Sequence, residues 1–209
     1  MDFVLSEDHQ FIRKTARDFA EKEVRPSAAE RDRDRIWPAE LVRKMGELGF
    51  MGIAVSEAYG GSGLDYISYA IVIEELSRVD ASLGVIASVN NSLVCYGLEK
   101  FGTEEQKREI LTPLASGQQL GAFSLSEPGA GSDAAAQKTT AVRDGDYYVI
   151  NGIKNWVTNG PHADTILLMA MTDPARGSKG ITCFIVDTHQ PGVSGVKNED
   201  KLGIRSAPS

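Results

Sequence analysis

Residues 129–134 read Gly-Ala-Gly-Ser-Asp-Ala and fit the pattern G-x-G-x-x-G/A letter for letter. Glycines at this spacing let a backbone approach a pyrophosphate closely and present N–H groups to its oxygens. In one common setting the pattern links a strand to a crossover helix and binds a nicotinamide dinucleotide. That setting needs roughly ten or more helical residues after the glycines. Here only Ser-Asp-Ala-Ala-Ala-Gln-Lys, residues 132–138, separates the glycines from the next strand-like run. There is no room for the crossover. Ser132 is also a poor nucleophile, because the run lacks the G-x-S-x-G elbow.

The surrounding elements decide what the loop belongs to. Up to about Gly117 the period is helical. Ser6 caps a helix with Phe11, Ile12, Ala16, Phe19 and Ala20 on its apolar positions, expected to end before Pro26. Pro38 suits the first position of a second helix, which Gly49 stops. Asp65 caps a third. The run SLGVIASVNNSLVCYGLEKFG is apolar nearly all round and predicts a buried helix. Thr103-Glu-Glu-Gln106 is a capping box.

After Gly117 the period becomes that of strands. QLGAFSLSE, TILLMAM and ITCFIVD read as strands. Asp144-Gly145 and Asn151-Gly152 read as hairpin turns. Strands following strands predict an antiparallel sheet or barrel. The expected class is α+β and multidomain: an all-helical domain over 1–118, then an antiparallel β-barrel-like domain over 119–209, incomplete at its C-terminal end.

Bulk properties exclude several classes. The chain has 209 residues, 42% of them hydrophobic, which is enough for a real core. Its net charge of −7 argues against nucleic acid or an anionic membrane as partner. No uninterrupted apolar run is long enough for a bilayer, and the acidic start MDFVLSEDHQ lacks a signal-peptide layout. Cys95 and Cys183 are isolated, as expected in a reduced cytosolic compartment. His9, His162 and His189 are scattered and outline no metal site.

Four segments in order, KFGTEEQK, FSLSEPGAGSD, IKNWVTNG and EDKLGIR, resemble the acyl-CoA dehydrogenase family, and the resemblance covers essentially the whole chain. SVNNSL and KNEDKLGIR look most like its short-chain, butyryl-CoA type. The resemblance implies a flavoprotein of fatty-acid β-oxidation that uses FAD to remove two hydrogens across the α and β carbons of an acyl-CoA thioester. A glutamate takes the α-proton, flavin N5 takes the β-hydride, and electron-transfer flavoprotein reoxidises the flavin. It further implies a homotetramer, in the cytoplasm or, after processing in a eukaryote, in the mitochondrial matrix.

Carried over residue by residue, Phe123, Leu125 and Ser126 border the flavin ring, with the Ser126 hydroxyl at its pyrimidine edge. Gly131 and Ser132 approach the pyrophosphate, and Ser132 also touches acyl-CoA. Trp156, Val157 and Thr158 lie along the ring, with the Thr158 hydroxyl reaching N5. Ile86, Val89 and Leu93 line the acyl pocket. A reduced flavin gains negative charge, so hydroxyl donors suit it, and an aromatic neighbour adds stacking area. Taken singly, each residue also fits a plain role: Ser126 and Thr158 in a strand ladder, Trp156 in a core, Gly129 and Gly131 in a tight turn. The ordered set favours the flavin reading.

One departure is mild: Ser124 stands where the family commonly has Ala, Gly or Cys. A larger one is the end of the chain, since relatives continue into a closing strand and a four-helix domain. The family's base lies in that domain, so the catalytic glutamate is expected beyond Ser209, and Glu127 is expected to be structural. Residues 1–209 alone are expected to show little activity. The alternatives are an oxygen-using relative such as an acyl-CoA oxidase, and a non-catalytic fragment that binds FAD or a CoA thioester.

Overall fold

The computed structural model describes residues 4–195 and 197–209. Helix α1 (Glu7–Phe19) opens on Ser6, whose hydroxyl accepts from His9 N, with Glu7 and Asp8 in the first turn. It does not end before Pro26. A π-helical turn, Ala20–Val24, carries it into α2 (Arg25–Asp34). Proline lacks an N–H, and its ring crowds the carbonyl four residues back. Widening the turn, with Arg25 N donating to Ala20 O five residues earlier, makes room for the ring and lets the helix run on. The same device, Lys107–Leu111, precedes Pro113 in α8 (Thr112–Ala115).

Helix α3 (Ala39–Glu47) starts just after Pro38, which sits at the cap rather than in the first turn. Asp65 caps α4 (Tyr66–Ser77) by accepting from Ser68 N at 2.8 Å. Helix α5 (Ala81–Ser88), a π-helical stretch (Val89–Cys95) and α6 (Tyr96–Phe101) form one continuous rod. Its 21 residues are long and apolar enough to cross a membrane by length and composition, although Asn90, Asn91 and Glu99 interrupt the apolar run, and 56% of the apolar window is buried within the fold. The capping box at Thr103 and Gln106 forms and opens α7 (Glu104–Gln106).

Two apolar clusters hold the chain together. One joins Ala16, Phe19, Met45, Met51, Leu76 and Leu83 in the helical half, and Ala207 from the last residues inserts into it. The other joins Val94, Leu98, Leu111 and Leu114 to Leu167 of the sheet. Buried Asn90 bridges the halves: its Nδ2 donates to the carbonyls of Met51 and Leu114, while its Oδ1 accepts from Gly121 N at 2.8 Å.

The strands are β1 (Gly121–Ser124), β2 (Thr140–Asp144), β3 (Tyr147–Asn151), β4 (Thr165–Met171) and β5 (Ile181–Asp187). Helices followed by a sheet match the expected order, but the sheet is mixed and open rather than an antiparallel barrel. β1 runs parallel to β4, pairing Gly121–Ser124 with Thr165–Leu168, and Thr140 of β2 pairs with Met171 in the same sense. β2–β3 and β4–β5 are antiparallel. Parallel pairing needs a long crossover. Here a loop and the β2–β3 hairpin supply it in place of a helix.

Asp144-Gly145 does open a hairpin, with Gly145 at φ 61. Asn151-Gly152 does not: β3 ends there and no strand follows before β4. Gly152 serves a close approach instead, because a β-carbon on it would lie 2.2 Å from Thr139 Oγ1. Nor do Trp156–Thr158 form a strand. Trp156 has φ 59 and Asn159 has φ 69, so the segment curls into a turn.

Candidate functional site

The segment that leaves β1 folds back at once. Glu127 and Ala130 exchange backbone hydrogen bonds of 3.0 and 3.1 Å across a tight turn at Pro128-Gly129. Ser126 O accepts from Asn155 N at 2.8 Å, which lays the 125–126 segment beside the approach to Trp156. Half-buried Leu125 and Ser126 thereby lie beside the segment that leads into exposed Trp156; Val157 and Thr158 after it are half-buried. Phe123, half-buried on β1, packs against the second apolar cluster. Asn159 anchors the far side: its Nδ2 donates to the carbonyls of Ile86 and Gly121, and its N–H to that of Pro208.

Beneath the turn, the Glu127 carboxylate accepts from Lys138 N at 2.6 Å, Thr139 N at 2.9 Å and Lys154 Nζ at 2.9 Å. Burial favours its neutral form, but these donors outweigh that and hold its pKa at about 2. A carboxylate so occupied is a poor proton acceptor near neutrality. The same three bonds tie the glycine turn to residues 138–139 and to Lys154.

Gly129 and Gly131 are exposed, neither has positive φ, and a β-carbon on either meets nothing within 4 Å. Neither backbone conformation nor packing within this chain requires glycine there. The open space in front of the loop suits the close approach of a bulky anionic group. Ser132 lies on the same exposed stretch. Trp156, held at positive φ and 60% exposed, offers a large uncovered face.

The fold also holds two cavities. One, of about 380 Å³, lies between α4 and the Ala81–Phe101 rod and is lined by Ala54, Val55, Tyr66, Tyr69, Ser92 and Tyr96 among others. Ile86, Val89 and Leu93 are not among its lining residues: Ile86 is wholly buried in the helical core, Val89 is half-buried and Leu93 is exposed. Tyr69 donates to or accepts from Ser88 Oγ at 2.8 Å, tying α4 to the rod. The other cavity, of about 590 Å³, opens beside Asp133 and is bounded by Gln137, Lys138, Thr140, Met171 and Ser178. The tyrosines were missed in the sequence because their spacing on α4 and α6 reads as an ordinary helix face. Lys154 was passed over within IKNWVTNG, although a lone cation between Ile153 and Trp156 is a detectable signal. Among the described residues, no three His, Cys, Asp or Glu side chains gather as a metal site.

A helical half precedes a mixed sheet whose open glycine turn is tied through Ser126 and Asn155 to the approach to an exposed tryptophan turn. The chain belongs to the acyl-CoA dehydrogenase family: the family's N-terminal domain matches residues 6–118 and its middle domain residues 122–209. It is 50% identical over 203 residues to the mitochondrial short-chain specific acyl-CoA dehydrogenase of Mus musculus, covering 97% of this chain and 49% of that protein. Identity to the short-chain specific acyl-CoA dehydrogenase of Clostridium acetobutylicum is 50% over 207 residues, covering 99% of this chain and 55% of that protein. Among solved structures, a chain in that of the electron transferring flavoprotein of Acidaminococcus fermentans superposes with a TM-score of 0.97 at 50% identity, over 100% of this chain and 55% of that one. Butyryl-CoA dehydrogenase from Megasphaera elsdenii gives 0.96 at 42% identity, again over 100% and 55%. Glutaryl-CoA dehydrogenase from Mycobacterium smegmatis in complex with FADH2 gives 0.91 at 35% identity, over 98% and 51%. The chain spans about half the length of the curated relatives it matches.

Proposed function

We propose that this chain is the FAD- and thioester-binding front half of a short-chain acyl-CoA dehydrogenase. The observation that carries the reading is the glycine turn. Gly129 and Gly131 have no conformational or packing need of their own, yet the turn is tied through Ser126 and Asn155 to the exposed Trp156. Phe123, Leu125 and Ser126 border one side of the ring, and Trp156, Val157 and Thr158 the other. Gly131 and Ser132 present backbone and hydroxyl donors to the pyrophosphate. When bound, FAD supplies a hydride acceptor at N5. The Ser126 and Thr158 hydroxyls donate toward the ring edges that gain charge on reduction, and the Trp156 face excludes water from the reacting carbons.

The apolar cavity between α4 and the rod takes the acyl chain, with Val89 and Leu93 on the same rod and Ile86 supporting it from the core. The groove beside Asp133 and Lys138, next to Ser132, takes the CoA portion. Glu127 is held as a hydrogen-bonded carboxylate and does not take the α-proton. That role belongs to a glutamate in the part of the family's fold that follows Ser209. Electron-transfer flavoprotein is the proposed electron acceptor and a homotetramer the proposed assembly, both carried by the family resemblance.

Anaerobic titration of the protein, as its gene encodes it, with butyryl-CoA tests the reading. Bleaching of the flavin absorbance, restored by electron-transfer flavoprotein, is expected. A protein that takes up no FAD, or whose flavin is reoxidised by oxygen with a full yield of peroxide, overturns it.

A further inference from the structure

We infer that Lys154 is a positioning residue for the flavin site, holding in one register the two loops that flank the ring. The inference rests on the flavin reading above. Lys154 does not line either cavity. Its side chain is 7% exposed, and its ammonium donates to Leu125 O at 2.9 Å, Glu127 Oε1 at 2.9 Å and Gln137 Oε1 at 2.8 Å. A lysine has three N–H donors, and each finds an acceptor here.

Those acceptors lie on two segments, 125–127 and the stretch at Gln137. Leu125 O adjoins Ser126, the proposed partner of one ring edge. Glu127 is the base of the glycine turn. Gln137 starts the wall of the groove beside Ser132. Lys154 itself stands two residues before Trp156 and four before Thr158. With the adjoining bond from Asn155 N to Ser126 O, Lys154 clasps the 125–127 segment to the 154–158 segment without a strand ladder between them. No other described side chain donates to both Leu125 O and Glu127. A buried ion pair is a poor way to gain stability compared with apolar packing. Its value here is geometric: three donors from one atom tie residues 125–127 and Gln137 to the 154–158 segment, and binding groups held in place in this way are preorganised.

The test compares Lys154→Met and Lys154→Arg with the unmodified protein, as its gene encodes it. The readouts are FAD affinity by fluorescence quenching, the visible spectrum of the bound flavin, and thermal melting. Lys154→Met is expected to weaken FAD binding roughly 10- to 100-fold, by analogy with the loss of an outer-shell partner at a metal site, and to shift the bound-flavin spectrum. Lys154→Arg keeps the charge but spreads its donors over a fork, so its affinity is expected to fall between the two. A purely structural role lowers the melting temperature and leaves affinity and spectrum of the folded protein unchanged; that result in Lys154→Met overturns the inference. If Lys154→Met does not fold, wild-type affinity and spectrum in Lys154→Arg overturn it. Failure of the unmodified protein to take up FAD overturns the flavin reading, and the inference with it.

Discussion

Gly121 lies against Val94 so closely that a β-carbon would sit 2.7 Å from Val94 Cγ1, and this contact sets the sheet on the helical rod. Both partners are buried, and Gly121 N is held by Asn90 Oδ1 at 2.8 Å. Val94 is β-branched and has no slack to give. Gly121→Ala is therefore expected to lower stability by about 1–3 kcal/mol through overpacking. Urea denaturation checks it; an unchanged midpoint would show that the rod and β1 are free to separate.

Glu127 makes the acid limb of stability steeper. Its pKa is held at about 2 from an ordinary 4.5. A carboxyl with a depressed pKa lends stability that is fully present above its ordinary value and is lost as pH falls toward the folded value. Unfolding measured from pH 5 to pH 2 should lose stability progressively, and Glu127→Gln should flatten that slope while lowering stability at pH 7. An identical slope in the variant would contradict the assignment. Asp65, also held at about 2, by Ser68 donors, contributes to the same window and remains in both proteins.

Asp65 caps α4 and also meets His9 Nε2 at 3.0 Å, joining the start of α4 to α1. Asp65→Ala is expected to cost about 1 kcal/mol, as for other N-cap deletions. Asp65→Asn should recover most of it, since an amide oxygen still caps. Equal loss in both variants would point to the His9 contact rather than the cap.

His162 stacks on Trp37 with ring centroids 4.3 Å apart and planes 11° apart, fastening the turn after Thr158 to the helical half. Burial lowers its pKa below the ordinary 6.5. A histidine with a lowered pKa stabilises the fold above that ordinary value, and the contribution fades as pH falls through the folded value. NMR titration should find His162 below 6.5, and Trp37→Ala should move it back up. A value above 6.5 in the unmodified protein would refute the burial argument.

Residues 1–209 expressed alone are expected to oxidise butyryl-CoA slower than full-length family enzymes by roughly 10²–10⁴-fold, the usual worth of a positioned general base. The check is turnover with an artificial electron acceptor. Family-level rates from this stretch alone would mean that a base lies within it.

Local chemistry was legible in the sequence and position was not. The caps at Ser6, Asp65 and Thr103–Gln106 were read correctly because a capping side chain bonds a backbone N–H two or three residues away. The helical and strand halves were legible because burial periodicity is written along the chain. Gly152 was misread as a turn residue because its reason, contact with Thr139, is not local. Pro26 was misread as a terminator because a widened turn can absorb a proline. In the site, the flanking segments were recognisable as motifs, but the cavity-lining Tyr66, Tyr69 and Tyr96 were not, since a cleft exists only once two helices pack.

By itself, then, the sequence determined the order of helical and β halves, the caps, the glycine turn that cannot be a nicotinamide crossover, and the family. Each follows from residues near one another in the chain. Only the tertiary structure decided that β1 pairs in parallel with β4, that Trp156 stands at positive φ outside any strand, and that Lys154 joins three loops. Those outcomes depend on contacts between residues up to dozens of positions apart, where many pairings satisfy the same local pattern and packing selects one.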